Sequence, residues 1–248
     1  KNQEPGTRSQ EPRAKSQEPG TRNQEPRAKN QKAYSLKTIM MKLQDLTIKQ
    51  FLDKTAANEA VPGGGSNAAL NAAMATALTE MVANLTIGRK KYAAVDERMR
   101  EIAAVMSLQR SCFLEDIDRD AEAYRLVMEA YRLPRETEEQ QLLRDEKIEE
   151  ATKSASLVPM EVAERAFPLL ELMQETLQKG NSNAATDGLV GLMNCRTAIL
   201  SALLNVRINL GGIGDQAFVS AMTAKCNRLE KMTMEIETAA IEQFKPTR

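Results

Sequence analysis

The chain has 248 residues, balances 34 Lys/Arg against 34 Asp/Glu, and contains no histidine. The missing imidazole removes Ser-His-Asp and Cys-His catalysis, HExxH zinc sites and haem–His ligation together, so any general acid or base must be a carboxylate, Lys, Tyr or Cys. The even charge conceals two parts: residues 1–40 hold nine Lys/Arg and four Glu, whereas residues 41–248 hold 25 Lys/Arg and 30 Asp/Glu.

Residues 1–40 repeat Gln-Glu-Pro at positions 3, 10, 17 and 24, a period of seven with no apolar residue at any repeating position. A coiled coil needs such apolar positions, and proline in every unit opposes a helix, so the expectation is a disordered tail. It reads as a translated upstream segment, with Met40 or Met41 as the ordinary start. The alternative is a basic tether for an anionic partner. No apolar core of a signal peptide is present in it. Residues 41–248 are expected to form one domain. Cys112, Cys195 and Cys226 are widely spaced and form no CxxC, which fits a reducing cytoplasm. The acidic body lacks an aromatic–basic face, which argues against nucleic acid. The nearest candidate for a membrane span, Ala68–Ile87, is interrupted by Asn71, Glu80 and Asn84, so no membrane is expected.

After Met41 the pattern is helical almost throughout. "LTIKQFLDKTA" gives a short opening helix. "PGGGS" (Pro62–Ser66) then precedes an Ala-rich helix to about Thr86, with Ser66 placed as its N-cap. "IGRKKY" (Ile87–Tyr92) breaks the pattern. Asp96 to about Leu133 is one long amphipathic helix, with Ile102, Met106, Phe113, Ile117 and Tyr124 recurring at three- and four-residue steps. Pro134 stops it, and Thr137 opens another helix with Glu138 and Glu139 in its first turn. Pro159 is expected to interrupt that helix, and Gly180 to end the one that follows. Ser182 to about Asn209 is the next helix. Asp215 caps the last, which ends near Phe244. No period-two alternation occurs. The fold class is therefore all-α, six or seven long helices in an antiparallel bundle. Helices this long, rich in Ala, Leu and Met, point to a homodimer.

Three features can carry chemistry. The glycine loop is neither a Walker A motif nor GxGxxG, but glycines at a helix start let backbone N–H groups approach a ligand. In "LEDIDRDAEAY" (Leu114–Tyr124), Asp116 and Asp120 share a helix face, while Asp118 lies on another side. Asp118 and Asp120 flank the stripe of Ile117, Ala121 and Tyr124. Charge runs are usually a solvated acidic face, here paired with Arg119 and Arg125, and Asp116 is read as part of that face. Asp187, Asn194, Asn205 and Asn209 sit in an otherwise apolar helix, where amides need partners.

"VPGGGSNAALNAAMATALTEMV", "TIGRKKY", "IDRDAEAYRLVMEAYRLP", "GNSNAATD" and "NVRINL" occur in an order and spacing that resemble the cyclodeaminase/cyclohydrolase family. That family includes the cyclodeaminase half of formiminotransferase-cyclodeaminase and stand-alone bacterial methenyltetrahydrofolate cyclohydrolases. The resemblance runs from about Leu43 to Phe244. It implies an all-α dimer that binds a reduced folate, with no metal and no cofactor beyond the tetrahydrofolate substrate. Matched position by position, it implies Asp120 and Asp118 as the catalytic acidic pair. It implies Pro62, Gly63, Gly64, Gly65, Ser66, Lys90, Asp187 and Asn205 as substrate-binding positions. The reaction is then cyclodeamination of formimidoyltetrahydrofolate or hydrolysis of methenyltetrahydrofolate. The alternative is a catalytically silent helical scaffold or a folate-binding interaction subunit.

Overall fold

The computed structural model describes residues 41–244, and the heptapeptide-repeat tail (1–40) lies outside the described residues. Seven α-helices follow one another: α1 (Ile48–Thr55), α2 (Gly64–Thr86), α3 (Asp96–Tyr131), α4 (Glu138–Ala166), α5 (Leu169–Lys179), α6 (Ala185–Leu210) and α7 (Gln216–Gln243). A short 3₁₀ turn at Leu43–Asp45 precedes them, and others at Lys90–Val95 and Ser182–Ala184 join α2 to α3 and α5 to α6. No strand occurs among the described residues. Local chemistry sets most boundaries. Thr47 and Thr137 each form a capping box, with Gln50 and Gln140 respectively. Asp215 accepts from the N–H groups of Ala217 and Phe218 at the start of α7.

α2 is the central element. Ala68, Ala69, Ala72, Ala75, Thr79 and Ala83 are buried along it, and it packs against both α3 and α6. Small side chains permit this close packing. On α6, a Cβ added at Gly191 would lie 3.3 Å from Leu78 Cβ and from Thr79 Oγ1. The hydroxyls of Thr76, Thr79 and Thr86 return to carbonyls one turn back in α2, so their burial leaves no orphan donor.

The contacts fix the directions of the helices. Gly64 faces Asn205, Leu78 faces Gly191 and Val82 faces Gly188, so α6 runs antiparallel to α2. Ser66 bonds Asp120, and Arg110 pairs with Glu80 at 2.9 Å, so α3 also runs antiparallel to α2. α4 runs antiparallel to α3, with Glu161 paired to Arg119 and Arg144 bonded to the Tyr131 carbonyl. Met99, Ile102, Met106, Phe113 and Ile117 of α3 meet Met160 of α4 and Ile199 and Leu203 of α6 in the core. α6 with its entry turn is long and apolar enough to cross a membrane by length and composition alone. In the fold it packs among α2, α4, α5 and α7.

Pro159 corrects one expectation. It does not interrupt its helix: α4 runs unbroken from Glu138 to Ala166, and the break comes at Phe167–Pro168. A proline at 159 withholds the N–H that the Ala155 carbonyl needs. Asn209 of α6 supplies a replacement, its Nδ2 donating to the Ala155 oxygen at 3.0 Å. One of the unexplained amides in the apolar helix thus has a structural partner. Asn209→Leu should cost about 1–3 kcal/mol, because it leaves that carbonyl unsatisfied. Denaturant unfolding of the pair Asn209→Leu and Asn209→Leu/Pro159→Ala checks this: restoring the N–H at 159 should recover most of the loss.

Candidate active site

The N-terminal end of α2 is where the glycine loop, the acidic helix and the amide-bearing helix meet. Val61–Pro62 is a cis peptide, Pro62 is buried, and Gly63 is the helix N-cap. Ser66 is therefore not the cap. It lies in the first turn, fully buried, and its hydroxyl donates to the Ile117 carbonyl (3.1 Å) and to Asp120 Oδ2 (2.8 Å). Gly64 and Gly65 are inside the helix, and the positive-φ glycine among the described residues is Gly88. The glycines serve close approach instead. A Cβ on Gly65 would lie 1.9 Å from Asp120 Oδ1, and one on Gly64 would lie 2.9 Å from Asn205 Nδ2. Asn205 Nδ2 donates back to the Ser201 carbonyl at 2.8 Å.

Asp120 is thus pressed against the backbone of the first turn of α2. Burial pushes its carboxyl above the usual carboxylate range, and the charge of Asp116 adds to the effect. Hydrogen bonding from Ser66 works in the opposite direction but does not overcome burial. A carboxyl whose pKa is raised by burial is better placed both to accept and to return a proton. Gly65→Ala should expel this carboxylate from its seat, since no atom tolerates a 1.9 Å neighbour. The expected result is a fall in kcat approaching that of removing the carboxylate, with the helical circular dichroism retained.

Asp118 is placed elsewhere. It accepts from the backbone N–H of Leu43 (2.6 Å) and of Gln44 (3.3 Å), anchoring the first 3₁₀ turn to α3. Asp116 also departs from the solvated face expected of it. It is 1% exposed and pairs with Arg119 at 2.6 Å and with Arg165 of α4. Arg119 continues to Glu161 at 2.6 Å, and the Arg165 guanidinium lies over the Phe113 ring at 5.3 Å. Arg165 is 49 residues from Asp116, and no periodicity announces that pairing.

Lys90 and Asp187 lie at the other end of α2. Lys90 is exposed, four residues beyond the last residue of α2. Asp187 precedes Gly188, which faces Val82 near the C-terminus of α2. A helix of 23 residues spans about 35 Å, so one chain does not bring these two residues to Asp120. Around them, the Ser182 N–H donates to the Tyr92 hydroxyl at 3.0 Å, and Lys91 reaches Ser182 Oγ at 3.4 Å. The Ser182 hydroxyl, 3.1 Å from the Tyr92 hydroxyl, together with the Ser182 N–H and Lys91, pulls the Tyr92 pKa down to about 8. Asn181 Nδ2 closes the end of α2 by donating to the Leu85 carbonyl at 3.0 Å. Among the described residues no group of three His, Cys, Asp or Glu side chains is placed to hold a metal ion.

The formiminotransferase-cyclodeaminase family profile matches residues 47–228, a span that holds the glycine turn, Asp120 and Asn205. The chain belongs to this family. It is 38% identical over 172 residues to methenyltetrahydrofolate cyclohydrolase of Methylorubrum extorquens, which covers 69% of this chain and 83% of the relative. It is 31% identical over 198 residues to formimidoyltransferase-cyclodeaminase of Rattus norvegicus, where it spans 36% of the relative's length. The fold matches the crystal structure of formiminotetrahydrofolate cyclodeaminase from Thermotoga maritima with a TM-score of 0.73 and 30% identity. That match covers 81% of this chain and 96% of the other.

Proposed function

We propose that this chain is a folate one-carbon enzyme that acts at the one-carbon bridge of tetrahydrofolate, with Asp120 carrying the proton. The observation that carries the reading is the Asp120 carboxyl, half-buried and pressed against the glycine turn of α2 near Asn205 in a chain without histidine. In the hydrolytic reaction, water adds to the methenyl carbon and Asp120 takes one of its protons. The carbon–nitrogen bond to the neighbouring nitrogen then breaks, that nitrogen receives the proton from Asp120, and the new hydroxyl loses its proton as the formyl group forms. In the deaminase reaction, the anilino nitrogen attacks the formimino carbon and gives its proton to Asp120, which returns it to the departing ammonia. Each sequence takes up one proton at a carboxylate and releases it to nitrogen, and neither invokes a cofactor beyond the folate. The higher identity to the cyclohydrolase supports the hydrolytic reading, and the three free thiols fit a reducing cytoplasm.

The test mixes the purified protein with 5,10-methenyltetrahydrofolate and follows its ultraviolet absorbance. A parallel assay measures ammonia released from 5-formimidoyltetrahydrofolate. Turnover of either substrate supports the reading. Folate binding without turnover would instead favour the silent scaffold or interaction subunit.

The working unit in this reading is a homodimer. Met74, Met81 and Leu85 of α2 and Val190, Met193, Leu204 and Ile208 of α6 form exposed apolar stripes on adjacent helices. Pairing this surface antiparallel with a second copy carries Lys90 and Asp187 of the partner subunit to the Asp120 end. The cation and the carboxylate that one chain leaves about 35 Å away would then complete the site. Mixing Asp120→Asn with a Lys90→Ala/Asp187→Ala variant should restore activity, because half of the sites in a mixed dimer would be intact. Additive activities of the two variants would separate the dimer from the site.

A further inference from the structure

The Asp120 end of α2 has a feature that proton transfer does not use. α2 begins at Gly64, opposite Asp120 and Asn205, but α3 continues to Tyr131 and α6 to Leu210. Both antiparallel neighbours therefore project past the end of α2, by about 16 Å on α3 and about 8 Å on α6. Beyond Asp120 on the same helix face come Ala123, which is buried, and Tyr124, one turn on. Long side chains on a helix lean back over the preceding turn, so a ring at this position lies toward Asp120.

Tyr124 is 41% exposed. Its exposed neighbours on this turn are Glu122, Arg125 and Leu126, and Arg125 is bonded to Glu122 and Glu129. The other described tyrosines are engaged: Tyr92 bonds Ser182, and Arg144 lies over the Tyr131 ring at 5.5 Å. Tyr124 has neither a hydrogen bond nor a cation–π partner among the described residues. An aromatic ring one turn from a half-buried carboxyl, with no partner of its own, offers a flat face to a ligand.

We propose that Tyr124 is an aromatic wall beside Asp120 and determines specificity by stacking on a flat conjugated ring of the substrate while Asp120 serves the reacting carbon. The inference rests on the folate reading of the same site and adds the contact that selects ring-bearing substrates. Tyr124 positions the substrate and takes no proton.

The experiment measures kcat and KM for 5,10-methenyltetrahydrofolate with the wild type and with Tyr124→Phe, Tyr124→Leu and Tyr124→Ala, alongside melting temperatures. Stacking depends on the ring and not on the hydroxyl, so Tyr124→Phe should stay within about twofold of the wild type. Tyr124→Leu and Tyr124→Ala should raise KM roughly ten- to a hundredfold with kcat little changed. Melting temperatures should hold in all three variants, because the side chain is exposed. An unchanged KM in Tyr124→Ala overturns the wall and leaves the folate reading intact. Loss in Tyr124→Phe equal to that in Tyr124→Ala overturns stacking, because the hydroxyl would then be the contact. A wild type that neither binds nor turns over the folate overturns the folate reading, and the wall falls with it.

Discussion

Asp120→Asn is expected to lower kcat by roughly 10²–10⁴-fold while the dissociation constant for folate moves little. The amide keeps the shape that fits beside Gly65 and still accepts from Ser66, so binding contacts survive. Only the exchangeable proton site is lost. The same substitution should leave the melting temperature unchanged or raise it. Burial raises the carboxyl's pKa in the folded chain above its unfolded value, so the ionised form opposes folding once the pH exceeds the unfolded pKa. A neutral amide removes that opposition. Ser66→Ala is the companion test. It removes a hydrogen bond that favours the carboxylate, so the acid limb of the pH–rate profile should move to higher pH. Turnover of both folates by Asp120→Asn at near wild-type rate would remove the proton carrier from α3.

Asp116→Ala should be the most destabilising single change near the site, by about 2–3 kcal/mol. Breaking a buried ion pair from one side costs about 3–5 kcal/mol, and the partial exposure of Arg119 and Arg165 lowers that figure. The carboxylate is the hub: without it, Arg165 faces the Phe113 ring with no anion at its guanidinium, and the α3–α4 contact loses its charged centre. The melting temperature should fall by roughly 5–10 °C for a domain of this size. The midpoint of denaturant unfolding should fall with it at constant slope. Arg119→Met should cost far less, because Arg119 is the more exposed partner and Arg165 still neutralises Asp116. An unchanged midpoint in Asp116→Ala would return Asp116 to the solvated face that the sequence suggested.

Those two aspartates mark the boundary between what the sequence determines and what it leaves open. The helical class, the stop at Pro134, the start at Thr137, the end at Gly180 and the Asp215 cap were legible, because each depends on residues within one turn of each other. Lack of histidine settled by composition alone that the proton carrier is not an imidazole. The motif order carried the family. The sequence could not tell which carboxylate of "DIDRD" (Asp116–Asp120) is seated at the glycines, which is an ion-pair hub and which holds the chain's first turn. Helical spacing puts Asp116 and Asp120 on one face, yet their surroundings differ because Arg165 comes from α4 and Gly65 from α2. Pro159 illustrates the same limit, since its break is repaired by Asn209, 50 residues away. The glycines reverse a local expectation as well: three in a row suggested a flexible loop, but Gly64 and Gly65 are helical and small so that Asn205 and Asp120 can approach. Capping and turn chemistry act within a few residues and can be read in order. Burial, ion pairing and close approach are set by helices packed across the bundle, and only the tertiary structure decides which side chains they bring together.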